Sequence, residues 1–193
     1  MTALALPSRS FVCLRHGVTD WNKQGRFQGL TDNALNEDGI AQAHAAAQRL
    51  KDVAIGAIVA SPLRRAVQTA DIVAAALAKQ VSIDAGIIEC DFGSLEGQSI
   101  DEAMREHGIT AMKDLVSILP ADGEAWHVVS DRALRCVAAW QDRQPGDDML
   151  FVCHDGVMQA IAEVLCGSFF ANHQGMPFRY TRAGNTWTVE EVG

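Results

Sequence analysis

The sequence predicts an α/β domain built on a central, mostly parallel β-sheet. Three observations carry this expectation. The short apolar runs FVCL (11–14), AIVA (57–60) and MLFV (149–152) are continuous rather than alternating, as strands buried on both faces of a parallel sheet are. A helical apolar period follows each run, and strand–helix alternation of this kind is the signature of the α/β class. Each run also ends abruptly in polar residues rich in chemistry, at the edge where open α/β sheets bind ligands.

The elements follow in order. The opening MTALALPSRS is too short for a signal peptide and lacks its basic flank. After the first run, Ile40, Ala43, Ala47 and Leu50 recur at spacings of three and four and predict a helix. After the second, Leu63, Ala66, Ala70, Val73 and Leu77 do the same. Ser61 reads as the N-cap of that helix and Pro62 as its first residue. Residues 81–98 read as a strand and then an irregular loop with Gly-bounded turns. Residues 99–122 look helical only in patches, as at DEAMREH, and are expected to form a variable cap or rim. A helical period returns over 124–141 through Val129, Ala133, Val137 and Trp140. Val157, Ile161 and Leu165 follow the third run, with Asp155 as the expected N-cap before Gly156. TWTVEEV (186–192) alternates in part and predicts an edge strand. With no internal repeat and no Pro/Gly-rich linker, residues 1–193 read as one domain.

Composition narrows the function. A chain of 193 residues, 48% apolar, can bury a core without staples. No window resembles a transmembrane span, and the expected location is cytoplasmic. The five cysteines are odd in number, widely spaced and without a C-x-x-C, so reduced thiols are expected. A net charge of −8 without a long Lys/Arg run argues against nucleic acid as partner, and no membrane partner is expected. Oligomeric state is left open. The basic residues that stand out, Arg15, Arg26, Arg64 and Arg65, cluster near the strand ends. A locally positive pocket on an acidic protein suits a small anionic ligand.

The three strand ends deliver Arg15-His16-Gly17, then Ser61-Pro62 with Arg64 and Arg65, then His154-Asp155-Gly156. Parallel strands would bring them to one edge. Imidazoles with guanidinium groups suit a tetrahedral oxyanion, because arginine offers a planar fork of donors and stays charged. Helix N-termini beyond Pro62 and Asp155 offer further N–H donors. A neutral imidazole in such a pocket can attack phosphorus, with the cations stabilising the transferring group. The leaving oxygen then needs a proton donor. No metal and no other cofactor is required. His44, His107, His127 and His173 have no partners at metal-ligand spacing.

LRHGVTDWN, GRFQG, SPLRRAVQTA, IIECDFGSLEG and CHDGV occur in that order. Together they resemble the histidine phosphatase superfamily, also called phosphoglycerate-mutase-like, whose fold is a three-layer α/β/α sandwich. The resemblance is weakest across 99–122 and after 167. It implies that His16 is the nucleophile that becomes phosphorylated and that Arg15 and Arg65 bind the phosphoryl group, Arg64 falling on a variable position. It implies that His154 is the second histidine on the phosphoryl oxygens, and that Glu89, rather than Asp91, Glu96 or Asp101 nearby, is the general acid and then base. Asn22, Gln28 and Gly29 match positions that touch phosphate or substrate. The sequence departs from the family at Val18, where Glu is usual, at Asp155, where Gly is commoner, and at GEA (123–125), where many members have Gly-Glu-Ser.

The resemblance also bears on activity. The longer basic insertion of true mutases is missing between Glu89 and His154, and Arg105, Lys113, Arg132, Arg135 and Arg143 are scattered there. A Trp-Arg-Arg feature associated with mutases is absent. The expectation is a phosphomonoesterase acting on small phosphorylated metabolites. The alternatives are phosphoglycerate mutase-type phosphoryl transfer, and a non-catalytic phosphate or phosphoprotein binder on the same scaffold.

Overall fold

The computed structural model describes residues 5–193. Among them, six strands form one sheet in the order β3-β2-β4-β1-β5-β6. The strands are β1 (Phe11–Arg15), β2 (Ile55–Ala60), β3 (Val81–Ile83), β4 (Asp148–Cys153), β5 (Pro177–Ala183) and β6 (Thr186–Glu191). Strands β3, β2, β4 and β1 run parallel. Strand β5 pairs antiparallel with β1, and β6 with β5. The helices are α1 (Asp20–Lys23), α2 (Glu37–Leu50), α3 (Arg64–Leu77), α4 (Ile100–Glu106), α5 (Trp126–Arg143) and α6 (Asp155–Cys166), with a 3-10 helix over Met112–Ile118.

The continuous apolar runs are explained by two cores on opposite faces of the sheet. Side chains alternate across a strand. Phe11 and Cys13 of β1, with Met149, Phe151 and Cys153 of β4, therefore face α5 and α6. Val12, Leu14, Leu150 and Val152 face α2 and α3. Helices on both faces make the expected α/β/α sandwich. The first core is aromatic: Phe11 stacks on Tyr180 with centroids 4.8 Å apart and meets Phe151 edge-on at 5.9 Å. Truncating such a buried ring typically costs about 3–5 kcal/mol. The second is small-residue: α2 presents Gly39, Ala43, Ala46 and Ala47 and lies close to the chain. Ile40, expected on that buried face, is 40% exposed, because the helix turns its alanines inward.

Three further expectations are corrected. Ser61 and Pro62 do not start α3. The helix begins at Arg64 with Leu63 as N-cap and no side-chain cap bond. The Ser61 hydroxyl is used elsewhere. Asp155 does not cap α6; His154 holds the N-cap position and Asp155 is the first helical residue. Strand β5 was not expected from the pattern. It is buried at Pro177, Phe178 and Tyr180 and exposed toward its end, so its apolar run is too short to stand out. The edge strand over 186–192 is present as β6.

A small third core sits above the strand ends. Phe27, Leu95 and Ala103 pack with Phe92, Ile100, Leu115 and Ile118. The segment 99–122 is thus a cap made of α4 and the 3-10 helix. Its apolar residues lack a sustained helical face because they serve two short, separate pieces.

Candidate active site

Strand β4 lies between β2 and β1, so the ends of all three are neighbours. The Ser61 amide donates to the Val152 carbonyl and the His16 amide to the Cys153 carbonyl, both at 3.0 Å. His154, leaving β4, is flanked by Ser61 on one side and His16 on the other. The two imidazole rings lie 5.1 Å apart with a 58° tilt.

His16 is oriented by its own backbone. Its Nδ1 lies 2.7 Å from the Gly17 carbonyl oxygen. A carbonyl only accepts, so Nδ1 carries the proton and Nε2 carries the lone pair. Burial, then the charges of Arg65 and Arg15, hold this imidazole well below its ordinary pKa of 6.5. It is a neutral base at neutral pH. Gly17 permits the close approach of α2. A Cβ there would lie 2.3 Å from the Gly39 carbonyl oxygen of α2, which is inside any tolerable contact. The Gly17 amide donates to Thr69 Oγ1 of α3 at 3.1 Å.

His154 is fully buried, and its Nε2 lies 2.7 Å from Ser61 Oγ. Its Nδ1 is buried without a partner. Burial, then Arg65 and His16, also lower its pKa well below 6.5. His154 backs the site and does not form part of the cavity wall.

Arg65 is fully buried and held by two carbonyls, Gly29 at 2.7 Å and Thr31 at 2.8 Å. Its Nε has no partner. The loop carrying those carbonyls is fastened by Glu96, whose carboxylate accepts from the amides of Leu30 (2.7 Å) and Thr31 (3.0 Å) and from the Thr31 hydroxyl (2.6 Å). Gly29 adopts φ +54°, and a Cβ there would sit 2.0 Å from Glu96 Oε1. Arg15 donates to Asn172 Oδ1 at 3.0 Å and pairs with Asp155 Oδ2 at 3.6 Å. Its Nε is likewise buried and unpartnered. Two guanidinium groups therefore border His16 with donors left over. Arg64 is exposed.

Glu89 is 6% exposed. It accepts from its neighbour's amide at Cys90 (2.9 Å) and from the Gly156 amide at the start of α6 (3.3 Å). Burial raises its pKa above the carboxylate norm, opposed by the two amides and by Arg65. Arg132 fixes its backbone. That side chain donates to the carbonyls of Glu89 and Gly86 at 3.0 Å and forms a two-pronged pair with Glu124 at 2.8 and 2.9 Å.

These residues surround a cavity of about 310 Å³, bordered by Arg15, His16, Arg65, Glu89 and Asp155 on its polar side. Asn22, Gln28 and Gly29 also border it. Asn22 Oδ1 is engaged by the Thr19 amide and hydroxyl. Gln28 Oε1 lies 2.9 Å from Thr19 Oγ1, which shares its single proton between the two carboxamide oxygens, and accepts from Asn33 Nδ2 at 3.3 Å. Both carboxamide oxygens are thus occupied, which turns the amide nitrogens into the available groups. Arg26 closes loop on loop, donating to Gln24 and Gly97 and bridging to Ser99. Among the described residues, no group of three or more His, Cys, Asp and Glu side chains is disposed to hold a metal ion. No described helix is long and apolar enough to cross a membrane.

The family model of the histidine phosphatase superfamily (branch 1) matches residues 11–186. The chain belongs to the histidine phosphatase superfamily. A probable phosphoglycerate mutase GpmB of Cronobacter sakazakii is 34% identical over 158 residues, covering 80% of this chain and 73% of that protein. An uncharacterized phosphatase PhoE of Bacillus subtilis is 31% identical over 157 residues, covering 81% and 77%. In fold, a mycobacterial glucosyl-3-phosphoglycerate phosphatase solved with VO3 superposes with a TM-score of 0.82 at 24% identity, covering 96% of this chain and 98% of that one. Phosphatase or mutase activity is what this membership supports.

In this member of the superfamily, the structure places each departure from the family pattern. Asp155 turns inward, accepts from Asn172 Nδ2 at 2.6 Å and pairs with Arg15. It holds a guanidinium rather than capping a helix. Val18 does not border the cavity; its amide donates to Gln42 and its carbonyl accepts from Asn36. At GEA the departing residue is Ala125, the N-cap of α5, which makes no side-chain cap bond, while Glu124 pairs with Arg132. Sequence reasoning missed Ser61 as the partner of His154, Asn172 as the partner of Arg15, and Arg132. Ser61 opens the SPLRRAVQTA motif and so carries a signal. Asn172 and Arg132 lie far from any motif, and only folding brings them in.

Proposed function

We propose that this protein hydrolyses phosphate monoesters through a phosphohistidine on His16. One observation carries the reading. Nε2 of His16 holds a lone pair and no internal hydrogen bond, beside two guanidinium groups with unpartnered Nε atoms. In the first step Nε2 attacks phosphorus and the ester P–O bond breaks. The electron pair leaves with the ester oxygen, which takes the proton from Glu89. In the second step the Glu89 carboxylate takes a proton from water, the water oxygen attacks phosphorus, and the P–N bond breaks. This returns neutral His16 and protonated Glu89 and releases inorganic phosphate. Arg15 and Arg65, which border the cavity, stabilise the charge on the equatorial oxygens throughout, and His154 packs behind His16 at a ring distance of 5.1 Å. The raised pKa of Glu89 suits the acid role, and the lowered pKa of His16 suits the nucleophile.

Asn22, Gln28 and Gly29 contribute contacts to the phosphoryl group or its ester. The positive charge comes from arginines, and turnover is independent of divalent metal. Release of phosphate from a generic aryl phosphate by the wild type, lost in His16→Ala, tests the reading. Anion binding without turnover in the wild type would favour a non-catalytic binder. Loss of turnover with a chelator, restored by metal, would refute metal independence.

The name carried by the Cronobacter relative favours a second reading, phosphoglycerate mutase-type transfer. The phosphohistidine would then pass its phosphoryl group to another hydroxyl. Rapid interconversion of 2- and 3-phosphoglycerate with a bisphosphate primer, and little free phosphate, would replace hydrolysis with this reading.

A further inference from the structure

The cavity has two chemically distinct halves, and only the inner half is explained by phosphate. Its outer half is apolar. The cap's 3-10 helix contributes Met112, Leu115 and Val116, and Leu119 follows directly after it. Other segments contribute Phe92, from the loop after Glu89, and Trp126, the first residue of α5. The loop after α6 adds Phe169 and Phe170. A phosphoryl group does not use such a surface, and a polyhydroxylated or carboxylated ester would leave its polar groups facing it unpaired.

The aromatic side of this wall is held in place from behind. Trp126 and Phe169 pack with centroids 5.9 Å apart, and the Trp126 indole N–H donates to Glu163 at 2.7 Å. Phe170 is wedged edge-on against Phe178 (4.9 Å) and Tyr180 (6.2 Å) of β5. Phe92 is braced by Phe27 at 5.3 Å. The cap's contribution to the lining is aliphatic and adaptable, and its Met112 is 56% exposed. Braced aromatic rings and flexible aliphatic chains lining one cavity suit a flat apolar group.

Charge points the same way. The Asp155 carboxylate, 36% exposed, borders the cavity beside Arg15 and repels a second anion there. Arg26 is tied to Gln24 and Gly97, and Lys113, the other lining cation besides Arg15 and Arg65, is exposed. A volume of about 310 Å³ lies at the lower end of the range of roughly 300–1,000 Å³ for ligand pockets. It suits a phosphoryl group plus an organic part of about one ring system.

We propose that the preferred substrates are phosphate monoesters of alcohols bearing an uncharged aromatic ring, with the ring seated among Trp126, Phe169 and the cap residues Leu115 and Leu119. This deepens the phosphatase reading and rests on it for the chemistry, but the binding preference stands independently. Benzyl phosphate and glycerol 1-phosphate are suitable probes, since both leaving groups are primary alcohols of comparable reactivity. Benzylphosphonate and methylphosphonate, which are not hydrolysed, report binding alone.

Burying a ring of phenylalanine size supports a preference of about tenfold to a hundredfold. Calorimetry is expected to give a Kd for benzylphosphonate at least about tenfold below that for methylphosphonate. The kcat/KM ratio of benzyl phosphate to glycerol 1-phosphate is expected to match. That ratio is expected to fall in Trp126→Ala and in Leu115→Asn and to be largely retained in Trp126→Phe. A phosphonate ratio below about tenfold, or substrate ratios untouched by both wall variants, overturns the proposal, whether or not phosphate is released. A clear phosphonate preference with no turnover of either ester leaves the binding preference standing and removes the phosphatase reading instead.

Discussion

Replacing Glu89 by Gln separates chemistry from folding at a single buried atom. The carboxylate accepts from two backbone amides, at 2.9 Å from Cys90 and 3.3 Å from Gly156. A carboxamide oxygen keeps the shorter bond, and the new NH2 group faces the Gly156 amide without accepting from it. Losing one long, weak bond costs about 0.5–1.5 kcal/mol. Against this, the variant no longer has an ionised group in a site whose burial raises the Glu89 pKa. The net effect on stability is therefore small, within about 1.5 kcal/mol of the wild type. The effect on turnover is large. General acid–base catalysis contributes about 10²–10⁴-fold, or about 2.7–5.4 kcal/mol at 1.36 kcal/mol per tenfold. The assay compares phosphate release from an alkyl phosphate and from 4-nitrophenyl phosphate, with urea unfolding as the control for stability. A nitrophenolate leaves without a proton, so the first step with that ester is spared. Water attack still lacks its base. Glu89→Gln should thus release about one equivalent of nitrophenol in a burst and then stall, while the alkyl ester shows no burst. A loss under tenfold, or equal loss on both esters with no burst, would refute the assignment of Glu89 as the proton donor.

The pH profile should be bell-shaped and displaced toward acid. His16 is held well below 6.5, so it stays unprotonated and active at pH values where an ordinary imidazole would already be cationic. Glu89 is raised, so its protonated form persists to higher pH than usual and is lost as pH rises through that raised value. An alkyl phosphate rate still climbing above about pH 9 would contradict both assignments. Ser61→Ala removes the hydroxyl 2.7 Å from His154 Nε2 and leaves both imidazole nitrogens without protein partners. It should destabilise the protein by about 1–3 kcal/mol and lower kcat more than it raises KM, as steady-state kinetics and thermal melting will show. Gly29→Ala forces a side chain into φ +54° and onto Glu96. It should cost about 1–3 kcal/mol and weaken inhibition by inorganic phosphate, because the Gly29 and Thr31 carbonyls that seat Arg65 shift with the loop.

Much of the scaffold was legible because its signals are local. The runs at 11–14, 57–60 and 149–152 read as buried strands because both faces of β1, β2 and β4 are covered by helices. The helices behind them read from spacing alone, although Ile40 shows that period does not tell which apolar residues face inward. Start positions were less secure. Ser61-Pro62 has the composition of a helix start, yet Ser61 Oγ is drawn to His154, and the first turn begins at Arg64. Strand β5 escaped notice because it is half-exposed and pairs antiparallel across a long connection, which leaves no periodic trace.

The sequence by itself determined which side chains stand at the ends of the strands, because a strand's apolar length decides where its polar residues emerge. His16, Ser61 and His154 are readable from 193 letters in that sense. Tertiary structure decided how they meet. Inserting β4 between β2 and β1 puts His154 beside both Ser61 and His16, a consequence of strand order that no local pattern encodes. It also decided the protonation chemistry, since desolvation and neighbouring charge, which depress the histidines and raise Glu89, exist only after burial. And it decided the outer half of the cavity, where Leu115, Trp126 and Phe169 come from three separate segments. Each looks like ordinary core in the sequence, and they form one wall because the cap, α5 and the loop after α6 close over the same strand ends.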